Sequence, residues 1–432
     1  MEDSAMRRKS NVYQTYLKIL RRELIPAMGC TEPIALAYCS ALARETLGAL
    51  PDRVEVEASG NIIKNVKSVV VPNTGKRHGI PAAVAVGILG GDASRKLEVI
   101  ADVKEEIKDQ IGSYIEKTPI TVTPLVSDCI LDMIVTVFHE NDSAKVRIAN
   151  EHTNVVWIEK NGTVLLEKDL SEKTEPEEEM PDYTLLNVHD IIDFADTCRI
   201  EDVKEVLDQL IEKNTAIAEE GLRNDYGANI GKVLLKTGSD LRTRAKAMAA
   251  AGSDARMNGC ELPVVICSGS GNQGLTVSLP VITYAKELKV SQEVLYRALL
   301  ISVLVTLHAK NGIGRLSAYC GAVSAGAGAG SGIAYLYGGR EEVISHTIVN
   351  CLAITSGIVC DGAKSSCAAK ISTAVGTGIF GYEMYQNGQQ FYNGEGLVVE
   401  GVEKSIDNFA RLGRVGMKET DQEIIRMMTE KQ

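Results

Sequence analysis

Two long segments without a charged residue constrain the fold of this chain more than any other feature. They cover residues 262–285 and 316–339, and both are rich in Gly, Ala and Ser. Each is long enough to span a bilayer, but a helix that faces lipid is normally rich in Leu, Ile and Phe. Because Gly and Ala allow backbones to approach closely, we interpret both segments as helices buried in the core of a soluble protein.

The composition excludes several classes of partner. The 432 residues are 45% hydrophobic and 24% charged, which is typical of a globular protein of two or three domains. A net charge of −11 disfavours nucleic acid, whose phosphates require a basic surface, and an anionic membrane. Residues 1–10 are polar, so we expect no signal peptide. Ten cysteines are too few for a disulfide scaffold in a chain of this length, so we expect reduced thiols and a cytoplasmic protein.

The first 170 residues contain the patterns of an α/β domain. Amphipathic spacing predicts a helix over residues 12–24, and Thr31 is the expected N-cap of a second helix that runs to about residue 47. A further helix is predicted at 81–89, and a hairpin is predicted around Asn161 and Gly162. Alternating or buried apolar runs predict strands at residues 54–58, 68–72, 96–100, 120–123, 130–138, 144–149, 154–159 and 163–167.

The pattern changes after an acidic segment that contains proline. Residues 171–183 have the composition of a solvated linker, and the chain after them has mostly helical periodicity, with no strand predicted beyond residue 265. The sequence therefore predicts an α/β N-terminal domain over residues 1–170, an acidic linker over 171–183, and an all-α C-terminal domain over 184–432 with buried glycine-rich central helices.

Three cysteines lie in stretches of small residues that leave room beside their sulfurs. Cys320 precedes Cys360 by forty positions, and Cys360 and Cys367 are separated by a polar loop of six residues. Three thiolates could hold an iron–sulfur cluster with one iron left open, and such an iron is a Lewis acid. Structural zinc normally shows close cysteine pairs that are absent here. The remaining alternative is buried thiols that act as small hydrophobic residues, but the polar loop favours a lined cavity.

Cys30 lies just before the predicted helix that begins near Thr31. The dipole and free N–H groups at such a position lower the pKa of a thiol. The residue is therefore a candidate base, nucleophile or further metal ligand, and the alternative is a simple turn residue.

Two polar loops are candidates for substrate binding. The glycine-rich loop 268–274 could hold a carboxylate or phosphate on its backbone N–H groups, or it could be a tight turn between helices. The loop 73–79 collects hydrogen-bond donors after a predicted strand, or it could be an ordinary strand-to-helix connection. A third polar break, at 308–314, fits a helix terminus.

Several of these motifs together resemble one family. The chain is similar over nearly its whole length to the L-cysteine desulfidase-like family of the iron–sulfur L-serine dehydratase superfamily. The segments that carry the resemblance are residues 28–33 (Met-Gly-Cys-Thr-Glu-Pro), 71–75, 268–274, 318–321 and 359–367. In the related serine dehydratases the last cysteine pair is spaced more widely, and Ser-His replaces the Gly-Cys of the first motif. Both differences favour the desulfidase branch but leave the substrate open.

The resemblance implies a cofactor and a catalytic residue. It implies a [4Fe–4S] cluster on Cys320, Cys360 and Cys367, and a base or proton carrier at Cys30. The implied reaction converts L-cysteine and water to pyruvate, ammonia and hydrogen sulfide through removal of the Cα proton and loss of hydrosulfide. The alternatives are deamination of L-serine by the same mechanism, or a non-catalytic sensor of oxygen or iron.

The remaining expectations concern the substrate and the assembly. From polarity and position, the candidates for binding the carboxylate and amine of the substrate are Asn73, Thr74, Asn272 and Gln273. We expect a small amino acid as the partner and neither nucleic acid nor a membrane, while assembly as a homodimer stays open.

Overall fold

The computed structural model of the protein describes residues 10–170, 180–314 and 316–429. It shows a mixed α/β chain with a sheet near the N-terminus and helices in the C-terminal half. Of the linker predicted at 171–183, residues 171–179 lie outside the described residues, and the division into domains stays a prediction.

The elements are numbered here in chain order. The helices are α1 (Asn11–Glu23), α2 (Thr31–Leu47), α3 (Gly60–Val66), α4 (Gly79–Gly90), α5 (Glu105–Lys117), α6 (Val188–Thr197), α7 (Ile200–Arg223), α8 (Ile230–Thr237), α9 (Leu241–Met257), α10 (Gly271–Leu288), α11 (Gln292–Asn311), α12 (Gly321–Leu336), α13 (Glu341–Thr355), α14 (Cys367–Gln386), α15 (Val402–Arg411) and α16 (Lys418–Thr429). The strands are β1 (Pro26–Met28), β2 (Arg53–Ala58), β3 (Ile120–Pro124), β4 (Asp132–His139), β5 (Asp142–Ala149), β6 (Val155–Lys160), β7 (Thr163–Glu167) and β8 (Pro263–Val265).

The main sheet has six strands in the order β3-β2-β4-β5-β6-β7. The β2–β3 pair is parallel and the other pairs are antiparallel. Val54 and Val56 of β2 are buried, and α2 packs on β4 and β5. The β6–β7 hairpin turns at Asn161 and Gly162, which both have positive φ, as a tight two-residue hairpin turn requires. This hairpin was predicted correctly.

Helix α12 lies among α10, α11, α13 and α14 in the helical half. Almost all of its residues are buried, and its glycines allow α14 to approach at backbone distance. A Cβ added to Gly378 of α14 would lie 2.0 Å from the carbonyl oxygen of Gly326, and one added to Gly330 would lie 2.4 Å from that of Gly378. Because these contacts are with backbone atoms, an added Cβ could be accommodated only if the two helices moved apart.

We expect Gly378→Ala to destabilise the protein by about 1–3 kcal/mol or more, the cost of overpacking a close contact. Gly376 provides a matched control on α14, because a Cβ there would lie 3.4 Å from the side chain of Lys246, an ordinary contact. Gly376→Ala should be neutral or stabilising, since alanine has the higher helix propensity. Chemical denaturation of both variants measures the difference, and equal stabilities would contradict the close helix contact.

Three local predictions were wrong. The C-terminal half is not entirely helical, because β8 pairs antiparallel with β1 from the other end of the chain. Residues 68–72 form no strand and make only isolated bridges at Val70. Residues 96–100 fall within and after a short 3₁₀ segment, Ala93–Glu98, in which Lys96 has a φ of 51°.

The long apolar segments occupy buried positions. Residues 262–285 contain β8, a turn and most of α10, while 316–339 contain α12. Among the described helices, α11 is the one long and apolar enough to cross a membrane, and 67% of its most apolar window is buried inside the protein. That environment is typical of a core helix.

Candidate active site

The N-terminal ends of four helices meet at one cavity of about 110 Å³. Cys30, Ser270 and Cys320 are the N-caps of α2, α10 and α12, Cys367 is the first residue of α14, and all four line the cavity. None of the N-cap side chains of these helices, with Ser366 as the N-cap of α14, caps its helix. The first-turn N–H groups and the helix dipoles therefore favour an anionic ligand here.

The three cysteines predicted as cluster ligands all line this cavity. Two backbone hydrogen bonds hold their segments together: the Cys320 N–H donates to the Ile358 carbonyl at 3.1 Å, and the Cys360 N–H donates to the Ala318 carbonyl at 2.6 Å. Cys367 is brought to the same place by the turn that starts α14, where its N–H donates to the Lys364 carbonyl at 3.0 Å. The fold thus collects the three thiols at one end of the cavity.

These thiols interact electrostatically with one another and with nearby lysines. Burial and the charges of Cys360 and Cys367 raise the pKa of Cys320 to about 12, while the charge of Lys370 opposes them. Lys310 is 3% exposed, and burial lowers its pKa to about 8 although Cys360 and Cys320 act in the opposite direction. A metal centre that replaces the thiol protons would relieve both conflicts, because thiolates are the form that binds metals.

The donor arrangement is unlike that of a mononuclear metal site. Over residues 10–170, 180–314 and 316–429, no three His, Cys, Asp or Glu side chains are grouped so that they could hold one metal ion. A four-iron cluster carries each cysteine on a different iron, so its ligands lie farther apart than those of one zinc ion. The three thiols are therefore not grouped as in a structural zinc site, and a cluster on them stays a prediction.

Glu32 and Cys30 form a buried pair at the start of α2. The Cys30 thiol donates to Glu32 Oε2 at 3.1 Å, as does Thr31 Oγ1, while Asn65 Nδ2 donates to Oε1 at 3.0 Å. Burial raises the pKa of Glu32, but the His152 imidazole and the Cys30 thiol together lower it to about 2. Glu32 is therefore a buried carboxylate that stays ionised.

The expectation of a lowered pKa at Cys30 was wrong. The residue is the N-cap of α2, where Thr31 had been predicted, but it is 4% exposed. Burial and the negative charge of Glu32 raise the pKa of its thiol well above the ordinary value, and the charge of Arg256 lowers it only in part. Burial and the adjacent carboxylate thus outweigh the helix terminus.

We expect Glu32→Gln to lower the pKa of Cys30, because the substitution removes a negative charge that raises it. The thiolate should then form at a lower pH. The measurement is the ultraviolet absorbance of the thiolate as a function of pH in metal-free protein. The signal of Cys30 is isolated by subtracting the titration of Glu32→Gln/Cys30→Ala from that of Glu32→Gln, and by subtracting that of Cys30→Ala from that of the wild type. An unchanged or higher titration midpoint would contradict the pairing.

The cavity wall holds a concentration of polar atoms without partners. Within the described chain, six of the buried side-chain nitrogen and oxygen atoms that lack a hydrogen-bond partner belong to cavity-lining residues. They are Asn61 Oδ1, Asn65 Oδ1, His152 Nε2, Arg256 Nε, Asn272 Oδ1 and Gln273 Oε1. Unpaired buried polar atoms are costly and rare, so their grouping around one cavity indicates a polar ligand.

Of the two pairs of predicted substrate-binding residues, one lines the cavity and the other does not. Asn272 and Gln273 lie in the first turn of α10 and line the cavity. Asn73 and Thr74 do not line it: Asn73 Nδ2 donates to the Ile100 carbonyl at 2.7 Å, and Thr74 Oγ1 donates to the Val71 carbonyl at 2.7 Å. Both side chains stabilise their own loop, so we leave them out of the proposed site.

Several lining residues were missed by the sequence analysis. Asn61 and Lys64 lie on α3, a helix that was not predicted, and both contact Asp421 of α16. Lys310 was included in a break interpreted as a helix terminus. Glu32 stood inside a quoted motif but received no role, and its position two residues after the N-cap cysteine, Cys30, was the available signal.

Comparisons with known proteins give the family. The family described as serine dehydratase alpha chain matches residues 94–426. A protein of Desulfitobacterium hafniense is 58% identical, with 98% of each chain covered. One of Lachnoclostridium phytofermentans is 51% identical over 96% of this chain and 100% of its own. Both carry the name UPF0597 protein, which states no substrate. The chain therefore belongs to the serine dehydratase alpha chain family, whose members are lyases related to iron–sulfur enzymes.

Proposed function

We propose that the protein is an iron–sulfur lyase that converts L-cysteine and water to pyruvate, ammonia and hydrogen sulfide. One observation carries the proposal. Cys30, Cys320, Cys360 and Cys367 line a single cavity, although Cys30 is separated from the other three by most of the chain.

Cys320, Cys360 and Cys367 are the residues that would hold a [4Fe–4S] cluster. With three protein ligands, one iron of the bound cluster would stay open as a Lewis acid that makes hydrosulfide a better leaving group. The N-termini of α12 and α14 and the nearby Lys310 and Lys370 favour the negative charge of the thiolates.

Cys30 is the residue we assign to removal of the Cα proton of the substrate. Its thiol donates to Glu32 Oε2, which fixes the position of the sulfur, and the reactive form of Cys30 is its thiolate. The thiolate then accepts the Cα proton. Loss of hydrosulfide gives 2-aminoacrylate, which tautomerises and hydrolyses to pyruvate and ammonia. The burial of both residues keeps bulk water away from the transferred proton.

The family description supports a second candidate, the deamination of L-serine with loss of hydroxide. The same residues would act in both reactions, because only the leaving group differs. Since all ten cysteines are free, we place the enzyme in the cytoplasm, where thiols stay reduced.

The decisive experiment is an anaerobic assay of the cluster-reconstituted protein with L-cysteine and with L-serine. Sulfide and pyruvate are measured together, and the Cys360→Ser variant is the control for cluster-independent turnover. Sulfide and pyruvate in equal amounts from L-cysteine support the proposal. Pyruvate formed from L-serine but not from L-cysteine would show that the protein is an L-serine dehydratase. If protein with a full cluster converts neither amino acid, the remaining alternative is a non-catalytic sensor.

A further inference from the structure

Arg256 is the largest of the fully buried side chains in the described part of the protein, with 2% exposure. It is on the last turn of α9 and lines the cavity. Its Nε has no hydrogen-bond partner, and no carboxylate lies within ion-pair distance of its guanidinium among residues 10–170, 180–314 and 316–429. A guanidinium stays protonated in proteins, so this is a buried positive charge without a counter-ion.

The position of Arg256 adds a second feature of an anion site. Its Nε lies only 2.3 Å from where a Cβ of Gly271 would be, so the side chain packs on the first residue of α10. The Ser270 N-cap makes no side-chain cap, which leaves the first N–H groups of α10 facing the same region. The guanidinium and the helix terminus together form a positive end of the cavity.

A buried charge is strongly unfavourable unless it is paired, so Arg256 is expected to bind an anion. The cations that act on Cys320 and Cys367 include Lys370 and Lys364, which lie at the cluster end. Arg256 instead acts on Cys30. Cys30 packs against Met257, the neighbour of Arg256 in the chain, and against Cys367, so the anion is held beside the proposed proton acceptor and close to one of the cluster ligands.

The negative end of the same region is Glu32. It also acts on Cys30, so an opposite pair of buried charges flanks that sulfur. Three donors, from Cys30, Thr31 and Asn65, contact its carboxylate, which has about four acceptor sites. Asn65 Oδ1 beside it has no hydrogen-bond partner and is an acceptor open to a ligand, while the remaining acceptor site of Glu32 faces the His152 imidazole, whose Nε2 lies 3.9 Å from Oε1.

We propose that Arg256 and the N-terminus of α10 bind the α-carboxylate of the substrate, and that Glu32 and Asn65 bind its ammonium group. The inference rests on the proposed function and specifies its substrate class: a free α-amino acid, unblocked at both ends. A zwitterion complements the two buried charges. It places the Cα proton near Cys30 and leaves the β-substituent free to reach the end that holds Cys320, Cys360 and Cys367.

The kinetic test compares L-cysteine with its methyl ester, which lacks the carboxylate, on reconstituted enzyme. Arg256→Met should lower kcat/KM for L-cysteine by about 100-fold, the scale of losing one partner of a buried charge pair, and should leave the ester unchanged. Arg256→Lys should retain part of the preference for L-cysteine over its methyl ester. Arg244→Met is the matched control on α9, because Arg244 pairs with Glu287 outside the cavity, and it should match the wild type.

Two results of this comparison would overturn the assignment. An Arg256→Met enzyme that keeps the wild-type preference for L-cysteine over the ester would show that the carboxylate binds elsewhere. Loss of the cluster from Arg256→Met, measured as iron and sulfide content, would show that the guanidinium pairs with the cluster instead.

A binding test separates this inference from the proposed reaction. L-Alanine has no leaving group, so it should raise the melting temperature of the wild-type holoprotein and not that of Arg256→Met. Without ligand, Arg256→Met should melt higher than the wild type, because an unpaired buried charge is removed; a lower melting temperature would indicate a structural role and contradict the proposal. If L-alanine binds in an Arg256-dependent way but neither L-cysteine nor L-serine reacts, the proposed reaction fails and the amino-acid site stands.

Discussion

Replacing any one of Cys320, Cys360 and Cys367 with serine should abolish the broad visible absorption of the reconstituted protein. Each thiol lines the cavity and lies at a helix start or on a loop held by backbone hydrogen bonds. Two remaining cysteines offer too few thiolates to retain a cluster. Turnover should fall with the absorption, since the Lewis acid is lost together with the cluster.

The measurement is iron and sulfide content after anaerobic reconstitution, alongside the visible spectrum. Cys129→Ser is a matched control, because Cys129 has a similar intermediate exposure but does not line the cavity. It should reconstitute like the wild type. Full iron and sulfide in one of the three cavity variants would remove that residue from the ligand set, and full content in all three would refute the cluster site.

Local patterns were sufficient for most of the N-terminal elements. The helix predicted at residues 12–24 and the strand predicted at 54–58 correspond to α1 and β2 almost to the residue. The Asn161-Gly162 turn was recognisable because both residues must have positive φ. In these segments the local preference and the tertiary environment favour the same structure.

Predictions failed where the partner of a segment decides its structure. The β1–β8 pair joins two three-residue strands from distant parts of the chain, and so short a strand has no periodicity to detect. Residues 69–71 are apolar like a buried strand, but only Val70 finds a bridge partner, and turns lie on both sides of them. Residues 96–100 alternate like a strand, yet the Asp92 side chain accepts from the Ser94 N–H and starts a 3₁₀ turn instead.

The site shows the same division between local and tertiary information. The three cysteines and Cys30 could be found because small-residue surroundings, a polar loop and a resemblance marked them. Arg256 could not, because it lies in an alanine-rich helix whose periodicity does not indicate which residue reaches a cavity. Asn73 and Thr74 were predicted to bind substrate because their side chains are polar. In the structure these side chains instead make the hydrogen bonds of their own turn, in which Asn73 has a positive φ.

Cys30→Ala should keep the cluster and lose turnover by about a hundredfold or more, the usual scale for general acid–base catalysis. The two effects separate because Cys30 lies on α2, whereas the cluster ligands lie on α12, α14 and the loop before α14. Its sulfur contacts Glu32, so its removal should leave the cluster ligands in place. The measurements are visible absorption, iron content and the rate of pyruvate formation on the same preparation.

Cys39→Ala is the matched control, because Cys39 is a buried cysteine on the same helix that does not line the cavity. It should lose some stability and keep both the cluster and the turnover. Loss of iron in Cys30→Ala would make Cys30 a ligand rather than a base. Near-normal turnover with an intact cluster would exclude both roles. The proton acceptor would then be Glu32, since it is the ionised carboxylate hydrogen-bonded to Cys30, and Glu32→Gln rather than Cys30→Ala should abolish turnover.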